Sequence, residues 1–510
     1  MNVQSRQQKA KLNIYVSLAY QVVSAVCGLI VPKLLLSKYG SEAYGATTSI
    51  LQFLGYIVLL EGGIGGVARA ALYKPLAEND NDKVSQAILE IKRFFRIIAY
   101  IFAVYVLILA CIFKKISHIE VMDWLSTFLL VIVISISTFA QYFVGISNSI
   151  LLQADQKSYI GNALLSLTLI VNAILVAILT SIGANLVTVK LVSSCVYAVK
   201  PIMLWIYVKH NYRLSNIEAN TNVLRDKWTG LGQHTAFFFH SHTDVIVLTF
   251  FADLKYVAVY SVYNMVTSQI QSLSSSFVSG MESVFGDMYA RKEKSLLNKT
   301  FNLYETLMSF FSSILFSVTA VMIVPFVKVY TSNISDTNYI EPLFGVMLTV
   351  AAFISCLSSP YSSSVIAAGH FRQTRWAAYG EALVNVLLSI LLVKKFGLIG
   401  VAIGTVAATL YKLVFYVVYL KKNILNRKIS CFLKREFINL STVALIFVIG
   451  KYTLTFLDIS NYAQWALAAV VITVLACLIT IGSNFLFYRN DCIALLRKAM
   501  HRGLQCTKNK

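Results

Sequence analysis

Two ionisable residues stand inside an apolar run. Asp244 lies near the middle of GQHTAFFFHSHTDVIVLTFF, and His240 precedes it by one helical turn on the same face. A carboxylate inside a hydrocarbon layer is costly unless paired or hydrated, so a carboxylate beside an imidazole is a candidate ion-coupling pair that takes up and releases a proton. The plainer reading is an interhelical hydrogen bond with no transport role. His234 and His242 do not share a face with His240, which argues against a zinc site.

The second set of candidates is cationic. Lys200 (VYAVKP) and Lys412 (ATLYKL) each interrupt an apolar helix and stand 212 residues apart. Arg69 and Arg291 end two other apolar segments, and Arg372 with Arg375 precedes a third. Taken singly, each arginine is an ordinary interfacial anchor, and each lysine can snorkel to the inner interface. Taken together, they form a substrate-binding candidate: a cationic cavity suited to phosphate or pyrophosphate, where Arg binds bidentately and Lys adds a point charge. Glu61, Glu282, Glu305 and Glu381 lie toward the same ends of their helices, and ion pairs with nearby arginines are the default expectation for them.

These residues need elements long enough to hold them at depth. A bilayer core about 30 Å thick takes roughly twenty helical residues to cross. The chain supplies about fourteen such runs: 12–36, 43–66, 94–113, 124–150, 160–181, 186–208, 229–251, 257–286, 302–330, 342–368, 376–395, 397–420, 437–457 and 463–488. With 57% hydrophobic and 13% charged residues in 510, a water-soluble globule lacks the polar surface to cover itself. The fold class expected is all-α and polytopic. Pro32, Pro201, Pro325 and Pro360 fall inside or near the ends of spans, where membrane helices tolerate kinks. Gly62, Gly63, Gly65 and Gly66 mark either close packing or a hinge at the end of the second span.

Charge gives the orientation. The net charge of +21 is spread over loops of one parity rather than gathered on one domain, which excludes a nucleic-acid-binding module. About 32 of the 44 Lys and Arg lie in those loops and the two ends, the bias that marks cytoplasmic segments. Both termini are therefore expected inside. The first run continues past twenty residues without a small-residue cleavage site, so it reads as a retained helix. The eight cysteines are scattered without ligand spacing, and no cofactor or metal is indicated.

The chain also repeats itself. NALLSLTLIVNAILVAILTSIGANLVTV (162–189) matches GEALVNVLLSILLVKKFGLIGVAIGT (380–405), pairing Asn172 with Asn385, 213 residues apart, and Gly183 with Gly397. EGGIGGVARA from Glu61 likewise matches ESVFGDMYAR from Glu282. Matching helices are six apart, so the halves share one orientation. The expected organisation is a six-helix lobe (1–208), a cytoplasmic linker (209–228), a second six-helix lobe (229–420), two further helices (421–488) and a basic tail (489–510). Lys200 and Lys412 are mates across this repeat.

PKLLLSKYGSEAYGATTSI (32–50), GGIGGVARA (62–70) and GLIGVAIGT (397–405), with the fourteen-span count, give a chain that resembles the bacterial polysaccharide flippases. That family belongs to the multidrug/oligosaccharidyl-lipid/polysaccharide exporter superfamily. The resemblance implies two pseudo-symmetric lobes around a cavity that opens alternately to each side of the bacterial inner membrane. The implied substrate is an undecaprenyl-pyrophosphate-linked oligosaccharide, moved outward by an ion-coupled antiporter for surface polysaccharide biosynthesis. Membrane lipids are implied partners, and a polysaccharide polymerase with its export machinery are candidate ones. The alternatives are a multidrug or cation antiporter of the same superfamily and a membrane glycan polymerase. The scarcity of midplane acids argues against the antiporter, and outer loops of a few residues argue against an enzyme.

Overall fold

The computed structural model describes residues 3–61, 64–215, 242–425 and 428–489. His240, most of the expected linker and the tail from residue 490 lie outside them. Among the described residues all regular structure is helical. α1 (Val3–Gly55), α2 (Val58–Glu61), α3 (Ile64–Glu78) and α4 (Asn81–Ser117) are followed by α5 (Trp124–Ala140), a π-helical turn (Gln141–Gly145) and α6 (Ile146–Ala154). Then come α7 (Ser158–Ser181), α8 (Leu186–Asn211), α9 (His242–Phe251) and α10 (Leu254–Ala290). α11 (Lys294–Tyr330), α12 (Pro342–Ala367), α13 (Phe371–Asn423), α14 (Ile429–Leu454) and α15 (Tyr462–Phe487) complete the chain.

Ten described helices are long and apolar enough to cross a membrane. Two of them lie largely within α1 and α13, each a helix of 53 residues. A straight helix of that length would run about 80 Å, far beyond one bilayer core. Each is broken by a glycine at positive φ, Gly40 (80°) in α1 and Gly397 (54°) in α13, and so counts as two crossings. The chain is a polytopic all-α membrane protein.

Helix boundaries follow from local chemistry. Asp123, Asn185 and Asn461 accept from backbone amides of the first turns of α5, α8 and α15, at 3.3, 2.7 and 2.9 Å. Such caps satisfy amides that have no partner within the helix. α14 begins at Ile429, eight residues before the expected start at 437. The cause is that Arg435 and Glu436 are buried side chains within a helix rather than loop residues.

The contacts divide the chain into two compact units, Met1–Ala258 and Val259–Lys510. The first packs α1 on α7, α7 on α8, α5 on α8 and α4 on α5. Along α4, Phe95, Ile98, Phe102 and Leu109 are buried while Ile97, Tyr100, Val104 and Ile108 are exposed. That outer stripe is as apolar as the inner one, as lipid requires. In the second unit α11 packs against α12, α14 and α15. Its core gathers Phe285, Phe301, Tyr304, Phe353 and Tyr361.

Candidate substrate and ion sites

In the second unit the two halves of α13 fold back as a hairpin around Gly397. A Cβ on Gly404 would meet Ser389 Oγ at 2.4 Å, and one on Gly380 would meet Tyr411 Oη at 2.4 Å, so the halves approach where side chains are smallest. This register brings Lys412 Nζ to 3.1 and 3.2 Å from the two carboxylate oxygens of Glu381, whose side chain is 3% exposed. Glu381 therefore has its ion pair, with a lysine rather than an arginine.

The repeat mate differs. In the first unit Lys200 is half-buried, directly before the buried Pro201, and has no ion pair among the described residues. The position matching Glu381 at the 213-residue offset is Thr168, whose hydroxyl donates to its own helix at Leu165. Among the described residues, then, Lys412 has an acidic partner and Lys200 has none. Asn172 and Asn385, the pair that revealed the repeat, are both buried, and Gly183 and Gly397 both have positive φ.

The arginines are placed as follows. Arg69 donates to Gln153 of α6 at 2.8 Å. Arg291 is exposed and tied to Asp287 one turn earlier at 2.9 Å. Arg375 lies 5.5 Å from the centroid of the Trp376 ring. The Arg372 side chain lies outside the described residues. Asp244 is 4% exposed on α9. Its helix packs within the first unit, where Thr249 and Ser49 hydroxyls meet at 2.7 Å and the His242 imidazole meets Gln52. Its expected partner His240 lies outside the described residues.

Three polar centres were not read as sites from sequence, because their members are far apart in the chain. Glu305 on α11 accepts from both Tyr361 and Arg435, and Arg435 and Glu305 are nearly fully buried. This ion pair fixes α14 to α11, as the default reading of Glu305 anticipates. Asp155 collects Lys9 at 3.0 Å, Lys157 at 2.7 Å and the Tyr212 hydroxyl at 2.5 Å. Burial alone would push the Asp155 carboxyl up, but bonds from Lys157, Tyr212 and Lys9 outweigh it and hold it below the usual carboxylate value. Beside this node is a cavity of about 300 Å³ lined also by Asn79, Asn81 and Arg213. Glu61 departs from expectation: it accepts a hydrogen bond from Tyr142, and among the described residues it has no ion pair with an arginine.

Small-residue packing does not explain Gly65 and Gly66. A Cβ at either would meet nothing within 4 Å. Among the described residues no His, Cys, Asp and Glu grouping could hold a metal, and the described cysteines are free.

No family model matches the chain, and no curated protein sequence matches it. Solved structures do. The lipid II flippase MurJ, in an inward closed conformation, superposes with a TM-score of 0.70 at 16% identity, over 94% of this chain and 99% of that one. An inward-facing multidrug resistance MATE transporter of the MOP superfamily gives 0.59 at 14% identity, over 80% and 99%. The MATE transporter DinF-BH, in complex with R6G, gives 0.58 at 15%, over 81% and 95%. The chain therefore shares the multi-pass helical fold of these three structures. The same fold is thus shared by a lipid II flippase and by multidrug transporters.

Proposed function

We propose that this chain flips an undecaprenyl-pyrophosphate-linked oligosaccharide from the cytoplasmic to the outer leaflet of a bacterial inner membrane by alternating access, with both termini cytoplasmic. The observation that carries this reading is coverage. Similarity to a lipid II flippase extends over 94% of the chain, whereas similarity to the multidrug transporters stops near 80%. In this reading Lys200, Lys412, Arg69, Arg291, Arg372 and Arg375 attract the diphosphate. Lys200 leads, because its charge has no described counter-ion. Asp244 with His240 exchanges the coupling cation, and a polymerase with its export machinery receives the product.

The test is flipping by the purified chain in vesicles carrying a fluorescent undecaprenyl-diphosphate oligosaccharide, followed with a membrane-impermeant quencher. The protein should equilibrate the probe between leaflets. Lys200→Ala should slow it about tenfold, equivalent to about 1.4 kcal/mol. A chain that leaves this probe in place but carries a cationic dye would be a multidrug exporter instead.

A further inference from the structure

The turns that precede α7 and α13 are repeat mates, and their backbones agree bond for bond. In the first unit the amides of Asp155, Gln156 and Lys157 reach the carbonyls of Leu151, Gln153 and Leu152 at 3.0, 3.1 and 2.7 Å. In the second, 213 residues on, the amides of Ala368, Gly369 and His370 reach those of Ser364, Ile366 and Val365 at 3.1, 2.9 and 3.2 Å. The middle residue has positive φ in both, 58° at Gln156 and 73° at Gly369. The same turn thus forms with Ala368 and His370 as with Asp155 and Lys157. The charges at 155 and 157 are not what builds it.

Those charges line a cavity. The space of about 300 Å³ beside Asp155 lies where the start of α1, the α3–α4 turn, the α6–α7 turn and the end of α8 come together, and Lys9, Lys157, Arg213, Asn79 and Asn81 line it with Asp155. Three cations stand against one carboxylate. An ammonium has three N–H donors. Lys9 uses two, on the Asp155 carbonyl and carboxylate at 3.1 and 3.0 Å, and Lys157 uses two, on the other carboxylate oxygen at 2.7 Å and the Tyr212 hydroxyl at 3.1 Å. Each lysine keeps one donor, and the exposed Arg213 has no ion pair among the described residues.

The rim is strained. Asn79, which lines the cavity, and Gln156, between Asp155 and Lys157, are two of the four non-glycine residues with positive φ among the described residues. Glycine adopts that conformation freely, as Gly369 does at the mate of Gln156, so side chains are retained at this rim in spite of strain. Past the cavity Ser215 fastens the chain to α4, its amide to Ser85 Oγ at 2.9 Å and its hydroxyl to Asp82 at 3.2 Å. A cavity of this size with a few convergent polar groups is the usual form of a small-ligand site.

We infer that this cavity binds a phosphate group at the end of the first unit expected to be cytoplasmic, through the remaining donors of Lys9 and Lys157, the Arg213 guanidinium and the Asn79 and Asn81 amides. Leu76 and Leu214 of the same wall take the apolar part of the molecule that carries the phosphate. An anionic lipid headgroup and a soluble phosphate ester share this chemistry. In the second unit Ala368 and His370 replace the acid and the lysine, and the His370 nitrogens meet the Tyr289 and Tyr419 hydroxyls at 3.2 and 3.0 Å. The site is therefore expected once per molecule. Its lining does not include Lys200, and it does not depend on what the protein transports.

The test follows thermal unfolding of the purified full chain in phosphatidylcholine nanodiscs while inorganic phosphate replaces chloride at equal ionic strength. Phosphate should raise the unfolding temperature saturably. Arg213→Gln and Asn79→Gly should each raise the half-saturating concentration about tenfold. Without phosphate, Asn79→Gly should unfold at the wild-type temperature or above it, because glycine accepts the left-handed φ. A second arm substitutes phosphatidylglycerol for part of the phosphatidylcholine. A phosphate response lost there assigns the site to a lipid headgroup, and an undiminished one assigns it to a soluble ester. A wild type stabilised by neither phosphate nor phosphatidylglycerol overturns the proposal, as does a phosphate response that both variants keep unchanged. Flipping is read separately in the vesicle assay, so its failure leaves this result standing.

Discussion

Lys200 and Lys412 occupy matching places in the repeat but differ in environment, and the difference sets what each can do. Lys412 faces the Glu381 carboxylate, so its charge is largely spent on a neighbour that is 3% exposed. Removing it leaves a buried carboxylate without compensation, which typically costs about 3 to 5 kcal/mol. Lys200 has Thr168 where the acid would be, so removing its ammonium strands no counter-charge among the described residues. Thermal unfolding in detergent should therefore show Lys412→Met strongly destabilised and Lys200→Met close to wild type, while Lys200→Met loses more flipping per molecule of folded protein. Equal destabilisation of both would mean that Lys200 has a hidden acidic partner. The same accounting holds for Arg435 and Glu305, whose pairing makes a residue that hydropathy assigns to a loop into part of a helix core. Sequence offered the acids and cations but not their pairing, because Glu305 and Arg435 are 130 residues apart and Lys9 and Asp155 are 146 apart.

At the level of elements, the two kinds of glycine in this chain make opposite predictions. Gly397 turns α13 back on itself with φ 54° and ψ −128°, a conformation that a side chain resists. Gly397→Ala should cost about 1 to 3 kcal/mol, the usual strain at such a position. Gly65 and Gly66 are helical with open space at the Cβ position, so alanine there should leave stability unchanged or raise it by about 0.4 to 1 kcal/mol. Chemical unfolding of the three variants separates a turn glycine from a flexibility glycine; a loss at Gly65 equal to that at Gly397 would show that the open position is filled in the working protein. The turn was legible beforehand, since the match of Gly183 to Gly397 is carried by sequence and both have positive φ. The turn between α1 and α2 and the π turn before α6 were not. Hydropathy averages over windows longer than either feature, and a π turn adds one residue without changing apolar composition.

For the whole molecule, the rhythm of apolar runs fixed the class of protein, while orientation rests on the alternation of charge between loops. The described ends of the first unit agree with that alternation in what they join. Lys9, the turn at Asp155 and Lys157, and Tyr212 after α8 gather at one end, all from segments expected to be cytoplasmic. Tyr39 bonds to the Ala184 carbonyl, and Glu42 accepts from the amides of Glu120 and Val121, all from segments expected outside. A single misplaced crossing would put basic turns and charge-poor turns on the same side, so the sidedness of a few positions tests the entire thread. In a background with the eight native cysteines replaced by serine, Ile182→Cys and Ser460→Cys should react with an impermeant maleimide in intact cells. Ile182 is 72% exposed, and Ser460 is also exposed. Gln156→Cys and Lys422→Cys should react only after the membrane is opened. Labelling of Gln156→Cys from outside would invert the first unit, and with it the leaflet from which a diphosphate could reach Lys200.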